Sequence, residues 1–290
     1  MRKALVLPAV AVGGGLIGLV VRQRYLTQAF EPDTGLPIGG QPITYVMWAV
    51  ALITAGVIVA LSLGKHRTFE KCYTSAFGRG NMVQTSCTLA AAVLLLAAGL
   101  FNIEAFVSSP VNTITMTRTV SIVRPILGVV CLAAAAGVWF VIQEMNRFQQ
   151  VKSAWILLPG FVCCLWVMAN YQTWAQDPTV ERYLFSLLAI MLSMIGCYCL
   201  PGFAFGKGQV KLTLISSLLA GSFGVMVLGD GLPMADTSLV LAMVFYLMSM
   251  ASVLLDNDAR PEVPQPIDPA SCGGTCQGCT GCGPAPDPEE

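Results

Sequence analysis

The sequence predicts an all-α integral membrane protein: an eight-transmembrane-helix bundle with a disordered, cysteine-rich cytoplasmic tail. The first observation behind this prediction is composition, since 55% of the 290 residues are hydrophobic and only 11% are charged. A soluble domain is usually about a quarter charged, so the composition excludes a water-soluble globular protein. The second observation is that the hydrophobic residues are gathered into eight long runs. A helix needs about 20 apolar residues to cross a bilayer.

Each of the eight runs is long enough to cross the hydrocarbon core as a helix with some tilt. Backbone groups in lipid must hydrogen-bond within their own segment, which favours helices, and the alternating pattern of a membrane β-barrel is missing. These spans form a predicted transmembrane domain of residues 1–255. The predicted spans are residues 4–21, 43–63, 87–107, 120–142, 154–171, 183–200, 212–228 and 238–255.

The first run follows Met1-Arg2-Lys3 and has two interpretations, a signal peptide or a retained span. Its length, and the early position of its small-residue cleavage pattern at Ala9 and Ala11, favour a retained span. Gly14 and Gly18 in this run have the spacing that lets a second helix approach closely. Glycine is also common in membrane helices without that role.

The composition changes abruptly after Leu255. Residues 256–290 combine seven acidic residues with many prolines and a cluster of cysteines, which is the composition of a disordered, acidic tail. The chain is therefore expected to divide into a transmembrane domain, 1–255, and a tail, 256–290.

The cysteine cluster in the tail predicts a metal site. Cys272, Cys276, Cys279 and Cys282 are separated by three, two and two residues, with glycine in every gap. Four thiolates suit zinc or an iron–sulfur cluster. The order of the spacings differs from that of bacterial ferredoxins. Zinc sites usually combine two cysteine pairs that lie apart in the sequence, whereas these four cysteines form one compact cluster. A reduced-thiol tail and a disulfide-exchange tail therefore stay open as alternatives.

The distribution of Lys and Arg predicts the orientation of the chain. Eleven of the 16 cations lie on the face that carries both termini, and the positive-inside rule puts that face in the cytoplasm of a cell-membrane protein. The net charge of zero offers no basic surface for nucleic acid. The five cations on the opposite face are Arg22, Arg24, Arg118, Arg124 and Arg182.

A few polar residues near the outer ends of the spans are candidates for a site. Glu104 follows Asn102 at the end of the third run, and a hairpin would bring it close to Arg124 or Arg118. Such a pair is either an interfacial ion pair or a polar entry site for a solute. Asn170, at the end of the fifth run, is a candidate for hydrogen bonding between helices. No charge lies at the centre of a run, which disfavours an ion-coupled transporter.

His66 is the only histidine, so a two-histidine haem, a histidine-rich zinc site and a Ser-His-Asp triad are all excluded. It lies between Lys65 and Arg67 and is expected to be a solvated side chain. The chain also has no phosphate-binding or metalloprotease motif. The sequence therefore gives no indication of an enzyme.

Three functions are compatible with these observations. The leading hypothesis is a non-catalytic membrane anchor or sensor, held in the lipid bilayer, whose tail binds a metal or a membrane or cytoplasmic protein partner. The second is a transporter of an apolar or lipid-like solute. The third is a membrane redox subunit that carries an iron–sulfur cluster in its tail.

Overall fold

The computed structural model of the chain describes residues 2–31, 34–64, 66, 73–78, 82–109, 122–146, 153–175, 179–205 and 207–259. The four tail cysteines and Arg118 lie outside the described residues. The metal site of the tail therefore stays a prediction.

Within the described residues, eight helices are long and apolar enough to cross a membrane, which confirms the predicted eight-helix bundle. A short ninth helix, α3 (Tyr73–Phe77), lies between two of them. Many large apolar side chains stay exposed on the outside of the bundle, as expected for contact with lipid. The spanning helices are α1 (Arg2–Gln28), α2 (Pro42–Ser62), α4 (Met82–Ser108), α5 (Val123–Asn146), α6 (Ser153–Trp174), α7 (Leu184–Gly202), α8 (Val210–Val227) and α9 (Met234–Asp258).

Several helices extend past the ends predicted from hydropathy, and α1 extends the furthest. Helix α1 continues from the predicted end at Val21 to Gln28, so Arg22 lies inside the helix and is fully buried. The apolar run ends at this charge, but the helix does not, because the charge is neutralised within the bundle. Helix α9 continues from Leu255 to Asp258 in the same way.

The last two spanning helices form the interior of the bundle. In the most apolar stretch of both α8 and α9, 78% of the residues are buried, against 17% in α2. Helices α4, α5, α6 and α7 contact one another in chain order, while α1 packs on α8 and α9 and α2 packs on the outside of α1. The turn between α8 and α9 therefore lies where most of the helices come together.

The packing of α1 depends on small residues. A Cβ atom added at Gly14 would lie 2.4 Å from Thr54 Cγ2 of α2, and one added at Gly18 would lie 2.3 Å from Met226 Cε of α8. A larger side chain at either position would require its neighbour to move, because real Cβ contacts are longer. The two glycines contact different helices, so the approach of one helix to both positions, the possibility that their spacing raised, is not what the structure has.

Candidate functional site

Two aspartates flank the turn between α8 and α9. Asp230 ends a short 3-10 helix that follows α8, and Asp236 lies in the first turn of α9. Between them, Gly231 has φ of 66°, a left-handed conformation that favours glycine, and Pro233 directly precedes α9. The turn therefore presents two carboxylates at one end of the bundle.

Asp230 forms an ion pair with Arg22 of α1. Arg22 Nε donates to Asp230 Oδ1 at 2.7 Å, and Arg22 Nη2 donates to Oδ2 at 3.2 Å and to the carbonyl oxygen of Arg182. The guanidinium carbon also lies 5.0 Å from the centre of the Phe185 ring, within the range of a cation–π contact. Ser186 Oγ donates to Asp230 Oδ2 at 2.9 Å, which connects the pair to α7.

Asp236 forms the second ion pair, with Arg124 at the start of α5. Arg124 Nη1 and Nη2 donate to the two carboxylate oxygens at 2.9 and 3.1 Å, a bidentate arrangement. Trp166 Nε1 donates to Asp236 Oδ1 at 2.9 Å. The guanidinium also donates to Asn102 Oδ1 at 3.2 Å and to Asn170 Oδ1 at 2.8 Å. We call these five residues the Arg124 cluster.

The antiparallel order of the helices explains why the Arg124 cluster forms. Asn102 and Asn170 lie towards the C-terminal ends of α4 and α6, while Arg124 and Asp236 lie at the N-terminal ends of α5 and α9. Consecutive spans run in opposite directions, so all four positions reach the same end of the bundle. Asn102, Trp166 and Asp236 are each at most 3% exposed, so the cluster is an interior feature.

A cavity of about 40 Å³ is lined by Asp236 of the second ion pair and by Ser186, which bonds Asp230 of the first, and we call it the chamber. A single buried water needs about 10–15 Å³, so the chamber has room for about three waters or for a solute of a few non-hydrogen atoms. It touches Asp236 directly and reaches the Arg22 pair through Ser186. Its lining residues are Trp166, Asn170, Trp174, Ser186, Ala189, Ile190, Val227, Leu232, Asp236 and Val240.

The wall of the chamber has unused hydrogen-bonding capacity. A guanidinium only donates, so the Asn170 oxygen must face Arg124, and this fixes the amide orientation. No described residue accepts a hydrogen bond from Asn170 Nδ2. The Ser186 hydroxyl donates to Asp230, which leaves its oxygen lone pairs as acceptors. The mostly apolar lining of the chamber thus includes three polar residues, Asn170, Ser186 and Asp236, with hydrogen-bonding capacity left over.

The structure changes the predicted roles of the candidate residues. Asn102 and Asn170 both belong to the Arg124 cluster, but Arg124 pairs with Asp236 and not with Glu104. The alternative partner of Glu104, Arg118, lies outside the described residues. Glu104 is exposed on α4 and does not line the chamber. The true partner lies 112 residues further along the chain, so a hairpin between neighbouring spans could not reveal it.

Neither Arg22 nor Asp236 lies at the centre of its helix, yet both are buried. Sequence reasoning missed Asp230 and Asp236 altogether. A signal was available in the segment Leu-Gly-Asp-Gly-Leu-Pro-Met-Ala-Asp, residues 228–236, which places two of only 16 acidic residues around a turn between the last two spans. Trp174 lines the chamber and stacks on Tyr183 with ring centres 5.2 Å apart.

The opposite end of the bundle is held by a different set of bonds. His66 Nδ1 lies 2.8 Å from Asp258 Oδ2 and Nε2 lies 3.0 Å from the Ser62 carbonyl oxygen, so the predicted solvated histidine is wrong. Gln84 Nε2 donates to Asp256 Oδ2 at 2.8 Å. Beside these bonds, burial raises the pKa of the Tyr73 hydroxyl above its usual range. The C-terminal end of α9 is thus fastened by contacts from several elements.

Comparison of the chain with protein-family models, with curated proteins and with solved structures gives no match. Within the described residues, no three His, Cys, Asp or Glu side chains come together as a metal site. The residues that line the chamber are the basis for a functional proposal.

Proposed function

We propose that this multi-pass membrane protein is a transporter that binds a small solute in the chamber. The observation that carries this proposal is the chamber itself, a cavity lined by Asp236 and by Asn170, whose amide nitrogen has no acceptor among the described residues. Small-molecule sites are concave and mostly apolar, with a few placed polar groups. Ionisable groups inside a membrane bundle usually mark a solute path.

The same observation favours a polar solute over the apolar or lipid-like solute expected from the sequence. That expectation depended on the absence of buried charge, and the Arg124 cluster removes its basis. The volume of about 40 Å³ is also too small for an acyl chain. A sensor that binds the solute without moving it is the alternative that the experiment below separates from a transporter.

Filling the chamber tests this function without knowledge of the solute. Ala189 lines the chamber, so Ala189→Val should place two extra carbon atoms in it. Ala105, on α4, is exposed and away from the chamber, so Ala105→Val is the matched control. Uptake would be measured in proteoliposomes with a panel of small neutral, cationic, anionic and apolar solutes.

We expect at least one solute to enter faster than into protein-free liposomes, with Ala189→Val abolishing the difference and Ala105→Val keeping it. Uptake that is insensitive to Ala189→Val would contradict the chamber as the binding site. Thermal stabilisation of the wild type by a solute that is never taken up would indicate a sensor.

We further propose a cell-membrane location with both termini in the cytoplasm, so that the chamber lies towards the outer surface. The positive-inside bias supports this orientation. Arg22 and Arg124 are neutralised within the bundle, which leaves Arg24, Arg118 and Arg182 as the outer cations to weigh against eleven inner ones. A cysteine placed at the exposed Thr34 should react with an impermeant maleimide in intact cells, whereas Cys276 should react only after lysis.

A second function is proposed for the tail, in which Cys272, Cys276, Cys279 and Cys282 bind zinc or an iron–sulfur cluster. The spacing of the four thiols supports it, because glycine in each gap lets a short loop wrap one ion. The scattered cysteines are the background in any assay of the full chain, and the tail variant corrects for them. A tail that binds metal could also recruit a cytoplasmic or membrane protein partner.

Cobalt titration of the purified full chain under anaerobic conditions tests the tail. The wild type should develop thiolate-to-cobalt absorption bands and release protons, because the thiols deprotonate on binding. The Cys276→Ser, Cys279→Ser double variant should lose both signals. Equal bands in the wild type and the variant would contradict a tail site.

A further inference from the structure

The two carboxylates near the chamber, those of Asp230 and Asp236, each form an ion pair with an arginine. Asp236 is matched one-to-one by Arg124, and Asp230, behind Ser186, is matched by Arg22. Neither pair leaves a net charge for a ligand to neutralise. A solute with a net charge would therefore enter a low-dielectric site with no counter-charge, at the cost that makes unpaired ions rare in membranes.

The polar groups on the wall are complementary to a molecule that both donates and accepts. Asn170 Nδ2 is a donor without a described partner, so it calls for an acceptor on the solute. Asp236 Oδ2 receives one hydrogen bond, from Arg124, and Ser186 Oγ keeps its lone pairs, so both can accept from a solute N–H or O–H. A carbonyl beside an N–H group presents this combination.

The size of the chamber further limits the class of solute that it can bind. Its volume of about 40 Å³ admits only a few non-hydrogen atoms, and two tryptophans and several aliphatic side chains complete its wall. We infer that the chamber binds a small, uncharged amide or urea-type solute, with its carbonyl on Asn170 and its N–H groups on Asp236 and Ser186. This inference rests on the proposed transport function and names its substrate class.

Urea, guanidinium and nitrate form a matched panel for the test, because all three are planar and similar in size while their charges are zero, positive and negative. Tracer uptake of each would be measured in proteoliposomes that contain the full chain. After subtraction of uptake into protein-free liposomes, we expect urea uptake to exceed that of both ions by about a hundredfold, since an unpaired charge in the membrane costs about 2.5–3.5 kcal/mol.

Removing one charge sharpens the test. Asp236→Asn leaves Arg124 uncompensated beside the chamber, so it should lower urea uptake and introduce nitrate uptake. The double variant Arg124→Gln, Asp236→Asn restores neutrality and should lose the nitrate uptake again. The wild-type panel decides the question even if either variant fails to fold.

Each outcome bears on a different claim. Faster wild-type uptake of guanidinium or nitrate than of urea, sensitive to Ala189→Val, would overturn the substrate class and leave the transport function standing. Urea uptake that is insensitive to Ala189→Val would overturn the chamber as its site. No uptake of any of the three solutes by folded protein would also overturn the inferred class, whatever the wider panel shows.

Discussion

The two Arg–Asp pairs at the end of the bundle where α8 turns into α9 differ in what surrounds them. Arg22 is fully buried beside two aromatic rings, and its Nη1 group has no hydrogen-bond partner among the residues that the structure describes. Arg124 keeps 14% of its side chain exposed and donates to two asparagines in addition to Asp236. Asp236 lines the chamber, whereas Asp230 lies behind Ser186.

This difference indicates two roles for chemically equal pairs. The Arg22 pair connects α1 to the turn after α8. It is so deeply buried that the Arg22 Nη1 donor has no acceptor among the described residues. Such burial costs stability unless the pair stays intact, so the pair acts as a structural clamp. The Arg124 pair has spare polar groups around it and adjoins free volume, as a binding site requires. Substitutions should therefore separate a stability defect from a transport defect.

The largest expected effect follows from breaking the clamp. Arg22→Met would leave the Asp230 carboxylate without its cation, and removal of one partner of a buried pair typically costs about 3–5 kcal/mol. The free energy of unfolding would be measured by titration with sodium dodecyl sulfate in mixed micelles. Arg24→Met is the control, because Arg24 is exposed on the same helix.

The double variant Arg22→Met, Asp230→Leu provides a further check of the clamp. It removes both charges, so it should recover a large part of the stability that Arg22→Met loses. Equal losses in Arg22→Met and Arg24→Met would show that the buried pair is not what holds α1 in place.

For Arg124→Met we expect a smaller loss of stability than for Arg22→Met but a larger loss of solute uptake. Asp236 would keep the hydrogen bond from Trp166, and Arg124 is partly exposed, so we expect a loss of about 1.5–3 kcal/mol. Solute uptake should be abolished because the Asp236 carboxylate would keep its negative charge without the counter-charge of Arg124. A variant as unstable as Arg22→Met with normal uptake in its folded fraction would remove the distinction between the two pairs.

The helices can be predicted from the sequence more easily than the site, for a physical reason. Apolar runs reveal spans locally, since each span must satisfy lipid along its own length. The Arg124 cluster is assembled from four helices, and its partners are up to 112 residues apart. The apolar run of α1 ends at Arg22. That this charge is buried and paired becomes visible only from the position of Asp230 in the fold. His66 was misjudged for the same reason, because Asp258 lies 192 residues away.

The third prediction compares the two asparagines of the Arg124 cluster. Both accept a hydrogen bond from the guanidinium, but only Asn170 lines the chamber. Asn102→Leu and Asn170→Leu should each lower the free energy of unfolding by about 1–3 kcal/mol. Uptake per folded molecule should fall much further in Asn170→Leu. Matching uptake defects in the two variants would mean that the chamber wall acts only through Arg124.

The smallest effect is expected for Ser186→Ala, which probes the link between the two pairs. This serine donates to Asp230 and lines the chamber, so its loss should cost about 1 kcal/mol and reduce uptake several-fold. Ser193→Ala is the matched control on the same helix, because its hydroxyl bonds only the carbonyl oxygen of Ala189 and it does not line the chamber. It should change stability by about the same amount and leave uptake unchanged.

A double-mutant cycle tells whether Ser186 couples the clamp to the chamber. If the hydroxyl serves only the solute, the stability losses of Ser186→Ala and Arg22→Met should add. Residues of one hydrogen-bond network instead show interaction energies of about 0.5–3 kcal/mol. We expect such an interaction, since both side chains bond the same carboxylate. Additive losses combined with a normal rate of uptake in Ser186→Ala would confine the site to the Arg124 cluster and leave the Arg22 pair with no part in transport.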